Sequence, residues 1–270
     1  MNAPAPRLPT YFISHGGGPW PWMPEMRETM APLAAALQRI AQETGKPRAV
    51  LCVSGHWEAP RFTAMAAARP CMVYDYHGFP AHTYSLQYPS PGAPALAGRI
   101  TALLEAAGIE AEQDSRQGYD HGCFAPLAVM YPQADVPVLQ LSLKQGYDVA
   151  EHLAAGRALA PLRDEGVLIL GSGLSFHNLR LRGAAAQAPS KAFDDWLHTT
   201  LEACPPAERQ ARLLTWDAAP AARTAHPRED HLLPLMVALG AAEDEAARTV
   251  HHEANAWPGW TVSSWRFGAG

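Results

Sequence analysis

Three histidines occupy the same place in three separate segments. TYFIS leads to His15 and three glycines, AVLCVSG leads to His56, and VLILGSGLSF leads to His177. Each time an apolar run of strand length gives way to Ser and Gly and then to an imidazole. In α/β sheets, ligands bind in the crevice beyond the carboxyl ends of the strands, so three such side chains can converge from distant parts of the chain. Small residues beside them let backbone and ligand approach closely. Any one of these histidines reads equally well as a polar residue leaving a strand, but three at equivalent positions point to metal binding, a common special use of imidazole. His231, in HPREDHLLPL at the start of an apolar helical run, is a fourth candidate ligand, and His226 precedes it in the same segment. His121 differs, because GYDHGCF reads as a turn with no strand feeding it. An unligated imidazole near a metal can accept and return a proton at neutral pH, which makes His121 the candidate acid–base group. Ligand type leaves two chemistries open. Three imidazoles on zinc activate water for hydrolysis, whereas a ferrous ion with open positions binds an organic substrate together with dioxygen.

The elements that must position these residues alternate along the chain. Residues 10–14, 49–55, 137–143 and 167–173 are nearly all-apolar runs of strand length. Between them, Met26, Met30, Leu33, Leu37 and Ile40 recur at helical spacing, residues 94–108 read as a helix ending at Gly108, and Asp148 with Glu151 has the spacing of a capping box. Helical patterns follow over 190–204 and 231–242, and TVSSWRFG alternates as a closing strand does. Apolar strands separated by helices define an α/β layer fold covered on both faces. Nothing resembling a linker or repeat divides the chain, so one domain is expected over residues 1–270. The segment 58–92 is irregular and rich in Pro, Tyr and His, and long loops in compact domains usually carry function. Within it, Tyr76, His77 and Phe79, with Tyr74 and His82, are candidates for shaping a pocket.

Composition removes several classes of function. The net charge is −5 and the basic residues are scattered, so there is no nucleic-acid footprint. No apolar run approaches a membrane span and the first ten residues lack a signal-peptide core, which leads to the expectation of a cytoplasmic protein. Cys52, Cys71, Cys123 and Cys204 form no CxxC pair and read as reduced thiols. A serine hydrolase is disfavoured because GSGLS is not the GxSxG elbow.

Seven motifs occur in order: His15 with its glycines, SGHW at 54–57, DYHGFP at 75–80, YPSPGAP at 88–94, GYDHG at 118–122, GSGLSFHNL at 171–179 and HPREDHLLPL at 226–235. Together they resemble the DOPA-dioxygenase branch of the class III extradiol ring-cleavage dioxygenases, the superfamily that includes protocatechuate 4,5-dioxygenase. The resemblance covers nearly the whole chain. It implies a single α/β domain with a central mixed sheet, and a mononuclear non-haem Fe(II) at the carboxyl ends of the strands. The family's ligand positions fall on His15, His56 and His177, with His231 in the same pocket as a further candidate ligand, and its proton-handling position falls on His121. Tyr76, His77, Phe79 and His226 are the expected substrate contacts. The implied substrates are a catechol, DOPA-like or related, and dioxygen, the ring opening beside its two hydroxyls. The wider superfamily holds iron with two histidines and a glutamate. Here His177 takes the third position, which leaves the site one unit more positive, and members of this branch can also be isolated with Zn(II). The rival readings are a zinc-dependent hydrolase using the same histidines, and a non-enzymatic relative that binds a partner.

Overall fold

A computed structural model describes residues 7–256 and 259–268. Eight strands form one mixed sheet: β1 (Thr10–Ser14), β2 (Ala49–Ala59), β3 (Phe62–Met65), β4 (Ala111–Asp114), β5 (Val138–Lys144), β6 (Val167–Gly173), β7 (Ala247–Ala256) and β8 (Trp260–Phe267). Their order across the sheet is β4-β3-β5-β2-β6-β1-β8-β7. The four central strands, β5, β2, β6 and β1, are mutually parallel, while β8 runs antiparallel to β1 and β3 antiparallel to β5. These four are the apolar runs expected from the sequence. β6 is buried along its whole length because both its faces are covered.

Nine α-helices are found among the described residues: α1 (Pro24–Thr29), α2 (Ala31–Thr44), α3 (Pro94–Ala106), α4 (His121–Met130), α5 (Val149–Leu159), α6 (Ala184–His198), α7 (Pro206–Leu214), α8 (Ala222–Ala225) and α9 (Leu233–Gly240). The single long helix expected after residue 25 is broken near Met30, where Pro32 opens a new first turn. α5, as expected, begins at Asp148, whose side chain accepts from Glu151 N. α9 is apolar on all sides and fully buried; it packs on β6 and β1 and against α5. α2 packs on α4, which lies on β2. None of the described helices is long and apolar enough to cross a membrane.

The segment expected to be irregular holds the short strand β3, then a loop carrying one 3₁₀ turn at Ala81–Ser85. The turn expected around His121 is instead the start of α4, with Asp120 as N-cap accepting from Cys123 N. Pro126 lies inside this helix and cannot donate to the carbonyl of Gly122. The Ser172 hydroxyl on β6 donates to that carbonyl instead, which ties the helix start to the sheet.

Candidate metal centre and its cavity

The parallel strands end level with one another. Ser14 on β1 pairs with Gly173 on β6, and His15 N donates to Gly173 O. His15 therefore leaves the sheet beside the end of β6. Gly16, at φ +80°, turns the chain away at once, and Trp20 Nε1 closes the turn by donating to His15 O. His56 sits inside β2, where the pairing with β5 shifts register between Val53 and Glu58. His231 precedes α9, and its carbonyl lies so close to Gly173 that a Cβ there would fall 2.1 Å from it. That glycine is required by close approach.

These three imidazoles face one another. His56 Nε2 is 3.2 Å from His15 Nε2 and 3.2 Å from His231 Nε2. A metal held by imidazole at about 2.0–2.1 Å separates tetrahedral ligand nitrogens by about 3.3–3.4 Å, so the spacing fits a single ion. A hydroxyl or carboxylate lies near each Nδ1, with hydrogen-bonding geometry at His15. Ser172 Oγ donates to Gly122 O, so it accepts from His15 Nδ1 at 3.2 Å. His56 Nδ1 lies 3.1 Å from Asp75 Oδ2, and His231 Nδ1 lies 3.2 Å from Asp230 Oδ1. A proton on Nδ1 leaves the lone pair on Nε2, the arrangement that metal-ligating histidines use.

Burial drives the basicity of all three down, and the neighbouring imidazoles add to it. His56 is lowered to about 3 by burial and by His121, against the pull of Asp75. His15 and His231 fall well below the ordinary histidine value for the same leading reason. The rings are therefore neutral ligands at pH 7. Facing lone pairs with no donor between them leave a polar void that a cation satisfies.

His177 stands differently. Its ring stacks on that of His231, with centroids 3.4 Å apart and planes 14° from parallel. It groups with Asp230 and His231, whereas the compact trio is His15, His56 and His231. The sequence expectation made His177 the third ligand with His231 beside it. The structure brings the ring nitrogens of His15, His56 and His231 together and places His177 beside His231.

His121, at the first turn of α4, has its ring 3.9 Å from that of His56 and edge-on to His15. Its Nδ1 lies 2.9 Å from Asp75 Oδ2 and its backbone N donates to Asp75 Oδ1 at 3.0 Å. Burial acts to raise the Asp75 carboxyl. Hydrogen bonding from His121 and the nearby His121 and His56 rings outweigh it and leave the value lowered. One carboxylate thus orients two imidazoles. Beneath them, Asp120 accepts from Ser54 Oγ at 2.7 Å and Gln140 Nε2 at 2.6 Å. Its carboxyl is pushed up to about 6 by burial and by the charge of Asp75, with those hydrogen bonds opposing.

The centre opens into a cavity of about 380 Å³. Tyr76, His77 and Phe79 line it as expected, together with Leu174, Trp260 and Val262. His226 does not. It is fully buried between Phe193 and Trp216, and its Nε2 faces Ser175 O at 3.0 Å, so the expected substrate contact is a core histidine. Tyr74 packs behind Tyr76, and neither it nor His82 lines the cavity. Sequence reasoning missed Asp75, Asp230 and Ser172 as orienting groups, although each lies inside a quoted motif. It also missed Arg182 and Glu253, which bring a charge of each sign to the wall.

Imidazole nitrogens gathered at the strand ends of an α/β sheet, under an aromatic-walled cavity, are a donor set that could hold a metal ion beside a small molecule. Residues 9–265 match the family described as the catalytic LigB subunit of aromatic ring-opening dioxygenase, and the chain belongs to that family. It is 39% identical over 262 residues to the 4,5-DOPA dioxygenase extradiol of Beta vulgaris, spanning 94% of this chain and 93% of that protein. The 4,5-DOPA dioxygenase extradiol of Escherichia coli K12 is 32% identical over 248 residues, spanning 90% and 89%. Among solved structures, the uncharacterized protein JW3007 of Escherichia coli K12 superposes with a TM-score of 0.78 at 29% identity, covering 97% of this chain and 100% of that one.

Proposed function

We propose that this protein is an extradiol dioxygenase that opens a catechol-type ring with dioxygen at a mononuclear Fe(II). His15, His56 and His231 would hold the ion, with His177 stacked beside them. The observation that carries this reading is the convergence of three neutral Nε2 atoms, each ring backed by a hydroxyl or carboxylate, at the floor of an aromatic-walled cavity. When bound, the iron supplies a Lewis acid for the two catechol oxygens and a binding position for dioxygen.

The chain's own groups handle protons and orientation. Ionised Asp75 can only accept, so His121 carries its proton on Nδ1 and keeps a lone pair on Nε2. That nitrogen takes a proton from a substrate hydroxyl and returns it as the ring opens, as one residue acting first as base and then as acid. Tyr76 and Phe79 pack edge to face, with ring centroids 5.3 Å apart, and give an aromatic substrate a matching wall. Arg182 and Glu253 suit a substrate with a zwitterionic tail, such as the amino-acid group of DOPA.

The test is oxygen uptake by metal-stripped protein reloaded anaerobically with Fe(II) or Zn(II), with DOPA, protocatechuate and unsubstituted catechol as substrates. Uptake with iron alone, with a yellow ring-opened product and DOPA preferred, is the expected result. Iron-loaded protein that consumes no oxygen on any catechol, while the zinc form cleaves an ester or amide, would overturn it.

A further inference from the structure

A second group of ligand side chains lies outside this cavity. Asp194 and His198, one helical turn apart on α6, meet His252 on β7, and their ligand atoms all lie within 4.8 Å of one another. Asp194 is 2% exposed, yet neither of its carboxylate oxygens has a hydrogen-bond partner. Burying a carboxylate whose oxygen faces two imidazoles without a well-formed hydrogen bond is costly, and a cation shared among the three groups lowers that cost. Its Oδ2 lies 3.4 Å from His198 Nε2 and 3.3 Å from His252 Nδ1. Those are the edge lengths, about 3.3–3.4 Å, of a tetrahedron whose arms are about 2.0–2.1 Å.

The tautomers agree with ligation. Thr249 Oγ1 donates to Glu202 Oε1 at 2.5 Å, so it accepts from His198 Nδ1 at 3.2 Å. With Nδ1 so engaged, His198 Nε2 faces the carboxylate at 3.4 Å. The hydroxyl of Ser263, opposite His252 in the β7–β8 ladder, lies 3.2 Å from His198 Nε2 and 2.9 Å from His252 Nδ1. The hydroxyl can donate to one of these nitrogens and accept from the other, and the half-exposed ring of His252 opens the group to solvent. The backbone departs from α-helical geometry directly after His198, in a π-helical turn at Thr199–Ala203. Such turns recur at functional sites.

We propose that Asp194, His198 and His252 bind a second metal ion, a borderline divalent cation such as zinc, that fastens α6 to the β7–β8 hairpin. Two imidazoles and a carboxylate are a zinc donor set, and the surface position leaves a vertex for Ser263 or water. The residues flanking His252, His251 and Glu253, point to the other side of β7 and line the catalytic cavity. The ion would therefore fix the back of a cavity wall.

The experiment is equilibrium dialysis of stripped protein against micromolar Zn(II), with bound metal counted by mass spectrometry. Wild type, His252→Ala, Asp194→Asn and His231→Ala are compared. His252→Ala removes a half-exposed side chain and so tests the site without opening the core. The proposal expects His252→Ala and Asp194→Asn each to bind one equivalent fewer than wild type, and Zn(II) to raise the melting temperature of His231→Ala but not of His231→Ala/His252→Ala. Unchanged zinc content in His252→Ala, or an equal Zn(II) effect on the melting of both His231→Ala forms, would overturn it.

Discussion

Burial lowers the basicity of His152 as it does that of the crevice histidines, yet they do opposite things. His152, on α5, packs its ring on Phe62; its Nδ1 donates to Asp148 O at 2.6 Å and its Nε2 accepts from Lys144 N at 3.2 Å. Both nitrogens are used by the backbone. In the crevice, the Nε2 atoms of His15 and His231 both face that of His56. A depressed pKa does not separate the two regions, because burial lowers His152 to about 4 and His56 to about 3. The placement of the nitrogens separates them. Buried imidazoles whose nitrogens converge on one point suit a ligand, whereas a ring with both nitrogens bonded to the backbone serves the fold.

The comparison breaks most sharply at His231. If the trio is His15, His56 and His231, His231→Ala loses both bound Fe(II) and all measurable turnover. His177→Ala keeps the metal with an affinity lowered by about 10–100-fold, as for a group that supports a ligand. Metal titrations of the two variants check this, and the reverse ranking would restore His177 as the primary ligand. Next in size is His121→Ala, expected to retain iron and to lose about 10²–10⁴-fold in kcat if proton transfer limits the reaction. Asp75→Asn should cost about 10–100-fold in activity, because it frees the Nδ1 orientation of His56 and His121 together. A shift in the pH profile of kcat/KM, with protein folding intact, would mark that loss as one of orientation.

The smallest effect lies on the structural side. The folded value of His152, about 4, is below the ordinary 6.5, so its stabilising contribution is complete above pH 6.5 and is lost as the pH falls toward 4. At pH 5 the loss amounts to about 2 kcal/mol. Urea unfolding of wild type and His152→Gln at pH 7 and pH 5 isolates it, because the other lowered histidines contribute to both proteins. His152→Gln should reduce the pH difference by about that amount without altering metal content, and an equal difference in both would mean His152 is not held neutral.

The parts of this design legible in sequence are those that burial writes into it. β1, β2, β5 and β6 are central and covered on both faces, so they appear as apolar runs. The histidines at the ends of β1 and within β2 were visible for the same reason. β4 and β7 occupy the sheet edges and are largely polar, and Ala-Arg-Thr-Val-His-His-Glu-Ala-Asn-Ala shows no alternation that marks a strand. α4 was hidden by Gly122 and Pro126, whose cost to a helix is met by a serine fifty residues away. The sequence ranked His177 ahead of His231 by resemblance, whereas which ring faces His15 and His56 depends on packing that the sequence does not display. His226 was misjudged on sequence proximity, since five residues of turn are enough to carry a side chain into the core.

β1 lies between β6 and β8, strands that begin more than 150 residues later. The sheet therefore cannot close around its first strand until nearly the whole chain has been synthesised, and such long-range pairing is slow because loop closure must precede the contacts that reward it. His15, His56 and His231 belong to segments that meet only at that closing step. Capture of the proposed metal would thus follow synthesis instead of guiding it, and metal-starved cells should accumulate folded chains ready to be loaded.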